Sequence, residues 1–193
     1  MVRRSERATS TGYYTPSAQS RHRYPKLVFV RRMAEIIPRH VKVVDLGAAT
    51  GFVVTLFRMM DRHYCFGLDG TPGIEGISEG AVYEQDLTGD VSRYQGAADW
   101  GLFIEVGEHV PKKLETRLIH NIGQIVREGL IVSWSESTTG IAHVNPMKAD
   151  DVRTLFVRAG WRVDEDATAY LRQPIAGWRR YHLRKLWVFR RDA

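Results

Sequence analysis

Glu105-Val106-Gly107-Glu108-His109 is the stretch of this chain whose residue types are best suited to chemistry. Its two carboxylates and one imidazole stand at positions i, i+3 and i+4, so a single helical turn would put all three on one face. His143, in Ala142-His143-Val144-Asn145-Pro146, is a candidate fourth donor. Glu105, Glu108, His109 and His143 together would suit Mg²⁺, Mn²⁺, Fe²⁺ or Zn²⁺, and ligand type alone does not choose among them. Such an ion could coordinate a hydroxyl, lower its pKa and orient it. The same residues also allow a metal-free site, with Glu108 as a further catalytic carboxylate and His109 or His143 as general base. A plainer role stays open for His143 and Asn145, as caps of the helix that follows.

A second set of acids stands at regular intervals upstream. Val43-Val44-Asp45-Leu46-Gly47-Ala48-Ala49-Thr50-Gly51 lies where a β-branched run turns into a helical pattern, and glycines there let the backbone approach a ligand. The dinucleotide fingerprint G-x-G-x-x-G fails, because Ala49 and Phe52 occupy two of its glycine positions. Asp45, two residues before Gly47, suits a cationic ligand rather than a pyrophosphate. The next apolar run ends Gly67-Leu68-Asp69-Gly70, and a carboxylate there can accept both hydroxyls of a ribose. After the third run comes Gln85-Asp86-Leu87, an acid able to accept an adenine amino group with an apolar neighbour to pack on the ring.

The elements that hold these residues are legible from periodicity. Residues 26–37 carry Leu27, Val30, Met33, Ala34 and Ile37 at helical spacing. Strands are expected at 41–46, 63–69, 81–85, 100–105, 129–134, 161–164 and 186–190. Helices are expected at 52–60, at 111–126 with the stripe Leu114, Leu118, Ile122, Ile125 and Val126, and at 149–159 ending on Gly160. The glycine-rich stretch 71–80 is at most a poor helix. Strands alternating with helices imply an α/β fold with a mostly parallel sheet covered on both faces. The domain organisation expected is a flexible basic arm over residues 1–25, with Tyr13 and Tyr14 available for docking, and one domain over 26–193.

With the Asp45–Gly51 loop, the acids Asp69 and Asp86 and the Glu105–His109 segment in hand, the chain resembles the class I S-adenosylmethionine (SAM)-dependent methyltransferases over about residues 38–190. The resemblance implies a Rossmann-like seven-stranded sheet of order 3-2-1-4-5-7-6 with strand seven antiparallel. It implies SAM as cofactor, bound by Asp45, Gly47, Ala48, Ala49, Gly51, Asp69, Gly70, Asp86, Leu87 and Glu105. Ala49 departs from the glycine many members carry. Glu105, Glu108 and His109 are similar to the E-V-x-E-H motif of ubiquinone-type O-methyltransferases and of small-RNA 3′-terminal 2′-O-methyltransferases. In the RNA enzymes the two glutamates and two histidines hold a divalent metal, which implies metal ligation by Glu105, Glu108, His109 and His143 here. An (N/D)-P-P-(Y/F) motif is missing after strand four, and the Lys-Asp-Lys-Glu tetrad of cap-type enzymes is not matched because Glu105 occupies the aspartate's place. O-methylation of a small molecule, a sugar or an RNA terminus is the activity expected, against a non-catalytic SAM- or RNA-binding module.

Composition bounds the partners. The chain has 193 residues, 44% hydrophobic and 26% charged, enough for one α/β domain. No apolar run reaches the roughly 18 residues of a membrane span. Arg3 and Arg4 are followed by no apolar segment, so an intracellular, cytoplasmic protein without a secretory leader is expected. Cys65, the one cysteine, lies within the second strand and can form no internal disulfide. The net charge of +6 is concentrated at the ends. Residues 1–25 hold five arginines against Glu6, and residues 167–191 hold six arginines and Lys185 with no acid. Such ends could attract RNA, or be a solvated tail and ordinary surface cations. The same two readings apply to Trp178-Arg179-Arg180-Tyr181-His182-Leu183-Arg184-Lys185, whose aromatics could stack on bases or pack on the sheet.

Overall fold

The computed structural model describes residues 25–60, 64–140 and 142–191. The expected arm, with Tyr13 and Tyr14, lies outside the described residues apart from Pro25, as does His63 at the head of the second strand. In chain order the first half forms helix α1 (Leu27–Ile36), strand β1 (Lys42–Leu46), helix α2 (Phe52–Met59), strand β2 (Tyr64–Asp69), the single turn α3 (Ile74–Ile77) and strand β3 (Val82–Glu84). The second half forms β4 (Ala98–Ile104), α4 (Glu115–Ile125), β5 (Val126–Ser133), α5 (Ala149–Arg158), β6 (Arg162–Val163), α6 (Glu165–Leu171), α7 (Arg180–Arg184) and β7 (Leu186–Arg190). The seven strands make one sheet of order β3-β2-β1-β4-β5-β7-β6. β1, β2, β3, β4 and β5 pair in parallel, whereas β7 runs antiparallel to β5 and β6.

Strand alternation explains why both faces are covered. Val43, Leu102, Ile131 and Val188 point into one apolar layer, with Phe29, Val30, Met33 and Ala34 of α1 and Val54 and Phe57 of α2. Their neighbours Val44, Phe103, Val132 and Phe189 point into the other, with Leu118 and Ile122 of α4 and Val152 and Phe156 of α5. Apolar residues on both faces of a strand need helices on both sides. The helices after β1 and β4 therefore leave to opposite faces, and a crevice opens between the ends of these neighbouring strands, where ligands bind in open α/β sheets.

Several local readings shift. Leu27 is 61% exposed, and Phe29 takes its place in the core. The helix expected over 111–126 begins as a 3₁₀ turn, Lys112–Leu114, becomes α-helical at Glu115, and yields to β5 already at Val126. Two helices, α6 and α7, stand where no element was expected. α6 starts at Asp164, whose side chain caps it by accepting from the Ala167 N–H.

The basic C-terminal region is also changed by folding. Arg172 lies over the Trp187 ring, Arg190 over Trp100 and Arg191 over Trp161, at 4.0 to 4.2 Å from the ring centroids. Arg190 also pairs with Asp164, and Arg184 with Glu136. Trp178 packs on Phe29 with centroids 5.1 Å apart. Much of this charge is thus partnered within the protein, while Arg179, Arg180 and the Glu136-paired Arg184 are exposed. Among the described residues no helix is long and apolar enough to cross a membrane.

Candidate active site

The loop between β1 and α2 is held in a tight left-handed path. Gly47, Ala49 and Gly51 have φ of 81°, 50° and 81°. Gly47 and Ala48 donate to the Leu68 carbonyl of β2, and the Ala49 N–H donates to Asp69 Oδ2 at 2.8 Å. Asp69 Oδ1 accepts from both the amide and the hydroxyl of Thr71. A carboxylate offers about four acceptor positions, so Asp69 keeps one for a ligand rather than the two a ribose diol would use. Asp86 Oδ1 likewise accepts from the amide and hydroxyl of Thr88, and among the described residues none donates to Oδ2. Gly70 follows Asp69 half-buried, while Leu87 belongs to the apolar layer beneath, its carbonyl tied to Asn121 of α4.

Asp45 is 6% exposed. Burial, and then the Asp69 charge, push its carboxyl up to about 7. A cationic ligand end would reverse that shift. Asp45 near the end of β1, Asp69 at the end of β2 and Asp86 just after β3 thus line one edge of the sheet beside the Gly47–Gly51 turn, as a cation-seeking carboxylate and two carboxylates with acceptor positions to spare.

The Glu105–His109 segment abuts this loop. A Cβ on Gly47 would sit 2.5 Å from a Val106 methyl. Glu105, however, does not share a helical face with Glu108 and His109. Its φ is 57°, and the helical turn spans only Gly107–His109, as a 3₁₀ turn. Glu105 Oε1 accepts from Ser133 Oγ at 2.8 Å, and Oε2 is bonded to the Nζ of Lys185, the residue preceding β7. Lys185 is only 5% exposed. Glu105 therefore serves as a buried lysine's counter-ion, a pairing that nothing in the spacing of the segment signals.

Glu108, His109 and His143 do come together. One donor atom from each lies within 4.8 Å of the others, and the two imidazoles are edge-on at 4.9 Å. Two ligands of one ion at about 2.1 Å lie at most about 4.2 Å apart, so sub-ångström rotamer changes close the set. Glu108 is 1% exposed and its Oε2 has no hydrogen-bond partner. An orphaned buried carboxylate oxygen is a costly feature that a bound cation would satisfy. Burial, and then the Glu105 charge, raise the Glu108 carboxyl well above the ordinary range. His109 Nδ1 lies 3.2 Å from the Ala142 carbonyl and His143 Nδ1 2.6 Å from the Ser137 carbonyl. Carbonyls only accept, so Nδ1 is the donor in both contacts, as in backbone-oriented metal ligands.

A network far apart in sequence holds this geometry. The Glu108 carbonyl accepts from the amides of Val144 and Asn145 at 2.8 and 2.9 Å. Trp134 Nε1 donates to the Asn145 carbonyl, and Asn145 Nδ2 donates to the buried Glu115. Asn145 thus braces the site from within rather than capping α5, whose N-cap is Lys148. Gly107 sits against the Trp134 ring, where an added Cβ would lie 2.2 Å from ring carbons. Gly107→Ala is expected to destabilise the protein by about 1–3 kcal/mol, the range for overpacking. Urea unfolding of the variant against wild type measures this, and an unchanged midpoint would show that the Trp134 ring can move aside.

No protein-family model and no curated protein matches the chain. Solved structures do. The magnesium protoporphyrin IX methyltransferase ChlM from Synechocystis PCC 6803, with bound SAH, is similar at 16% identity and a TM-score of 0.63, covering 86% of this chain and 80% of that one. The methyltransferase domain of the bacterial CtHen1-C is similar at 14% identity and a TM-score of 0.59, over 87% of this chain and 100% of that one. The [4+2]-cyclase SpnF is similar at 12% identity and a TM-score of 0.59, over 96% and 88%. The chain therefore has the class I SAM-dependent methyltransferase fold. A fold shared with a cyclase does not by itself define the reaction.

Proposed function

We propose that this chain is a SAM-dependent methyltransferase that delivers the methyl group to a hydroxyl oxygen, with a divalent metal held by Glu108, His109 and His143. The observation that carries this reading is the convergence of those three side chains, one with an orphaned buried oxygen, at the strand edge shared with the Gly47–Gly51 loop. SAM supplies a methyl group on a sulfonium, an electrophile that needs an oxygen nucleophile brought into line. Asp45 offsets positive charge at the methionine end, while Asp69 and Asp86 accept from the ribose and the adenine. Glu108, His109 and His143 would hold the ion, whose Lewis acidity would favour the alkoxide-like form of an acceptor hydroxyl. In the metal-free alternative, Nε2 of His109 or His143 takes the hydroxyl proton. The backbone-fixed Nδ1 protons favour that role as well.

Transfer of labelled methyl groups from SAM to hydroxyl acceptors, with and without chelator, tests the reading. Loss on chelation and recovery with added metal is the expected result. Turnover that survives exhaustive chelation selects the histidine base, and SAM binding without transfer to any acceptor tried would favour a non-catalytic module. The acceptor is proposed to be a small molecule, a sugar or an RNA terminus. For RNA, affinity should fall steeply with salt as neutralised phosphates release counterions. Deleting residues 1–23 and neutralising Arg179 and Arg180 should flatten that dependence, whereas no RNA binding at low ionic strength would leave the small-molecule acceptor.

A further inference from the structure

Four oxygen and nitrogen donors are present around residues 105–109 and 143, yet only three are offered to one point. Glu105 is turned away by its left-handed backbone and held between Ser133 Oγ and Lys185 Nζ. Taking Glu105 back as a ligand would break its ion pair with a lysine that is 5% exposed and its hydrogen bond from Ser133 Oγ, and breaking an ion pair with a buried member is costly. The remaining set is two imidazoles and one carboxylate, with Nδ1 of both rings committed to carbonyls. Imidazole suits zinc, iron, nickel and copper, whereas Mg²⁺ prefers oxygen ligands in near-ideal octahedral geometry.

We infer that Lys185 withdraws Glu105 from the metal, leaving a two-histidine, one-carboxylate centre that selects an imidazole-seeking transition-metal dication over Mg²⁺. The inference rests on the proposed metal site at Glu108, His109 and His143, and names its ligand count and its selectivity. With three protein donors, coordination positions remain for oxygens of the acceptor. Lys185 is a positioning residue: its Nζ holds the Glu105 carboxylate.

The test is direct metal binding to the full chain, freed of metal, using Co²⁺ with its visible absorption as the readout and Mg²⁺ as competitor. Wild type should bind one Co²⁺ that a large excess of Mg²⁺ does not displace. Glu105→Gln keeps the hydrogen-bonding shape but leaves the Lys185 charge less compensated, and should lower Co²⁺ affinity by no more than about tenfold, the low end for an outer-shell partner, whereas Glu108→Gln should lower it by about 100-fold or more. Lys185→Met should release Glu105, alter the Co²⁺ spectrum and raise Mg²⁺ affinity. An equal loss of Co²⁺ in Glu105→Gln and Glu108→Gln would make Glu105 a ligand and overturn the inference while leaving the metal site intact. Displacement of Co²⁺ from wild type by moderate Mg²⁺ would overturn the selectivity. No Co²⁺ binding by folded wild type would overturn the metal site itself. Should Lys185→Met fail to fold, Glu105→Gln still decides the ligand count.

Discussion

His143→Ala is expected to lower metal affinity and turnover together by at least about 100-fold, more than an outer-shell change would, while SAM affinity stays near that of wild type. The reason is spatial separation of tasks. His143 reaches the site from the loop after β5, whereas the acids proposed for SAM stand at the ends of β1 and β2 and just after β3. Gly140→Ala offers an independent route to the same end without touching the imidazole. A Cβ at Gly140 would lie 2.2 Å from the His143 ring, so the ring must leave its place while its chemistry is intact. Calorimetric titration of each variant with metal and with SAM, beside a turnover assay, gives the comparison. A His143→Ala variant that keeps metal affinity and activity would remove His143 from the mechanism. Loss of SAM binding in both variants would instead indicate a collapsed edge of the sheet.

The second large effect concerns Asp45. Its carboxyl is held at about 7, against 3.8 for an ordinary aspartate, because it is buried and faces the Asp69 charge. Folded protein therefore takes up a proton at this site between those two values. Stability from the site is present at low pH and is lost as pH rises through about 7. Three units at about 1.4 kcal/mol each set a ceiling of about 4 kcal/mol. Asp45→Asn should accordingly stabilise the ligand-free protein by about 2 kcal/mol at pH 8 and much less at pH 5, flattening the pH dependence between them. The same substitution should weaken SAM binding by about ten- to a hundredfold, the scale for losing a hydrogen bond to a charged group. Urea unfolding at the two pH values and calorimetry with SAM read both effects. An unchanged slope of stability with pH would show that Asp45 does not titrate in this range. Function here would be gained at the cost of stability, as is common at binding sites.

What could be read without the structure was what regular local geometry encodes. The β-branched runs, the turn at Gly47–Gly51 and the helical stripe of Leu118, Ile122 and Ile125 fix strands, a crossover and an amphipathic helix. The strand order came from the resemblance, and the sheet adopts it, bringing Asp45, Asp69 and Asp86 to one edge. β7 falls at Leu186–Arg190 as its apolar run requires. Helices α6 and α7 escaped because they are short and lack a clear apolar stripe, and are held largely by what they pack on, such as Leu171 and Leu183 against the α1 side of the sheet.

The division of labour between Glu105 and Glu108 was decided only by tertiary structure. Spacing of three and four residues predicts a shared face when the backbone is helical throughout, and the positive φ at Glu105 breaks the phase before the turn begins. The partner that captures Glu105 lies 80 residues away, brought alongside when β7 pairs antiparallel with β5. A lysine next to an apolar strand could have been flagged as lying at that edge, but not as buried against a particular acid. The arginines of the C-terminal region follow the same rule. Their sequence supplies charge, but whether a guanidinium meets solvent, a carboxylate or the face of a tryptophan depends on which side chains the sheet places beneath it.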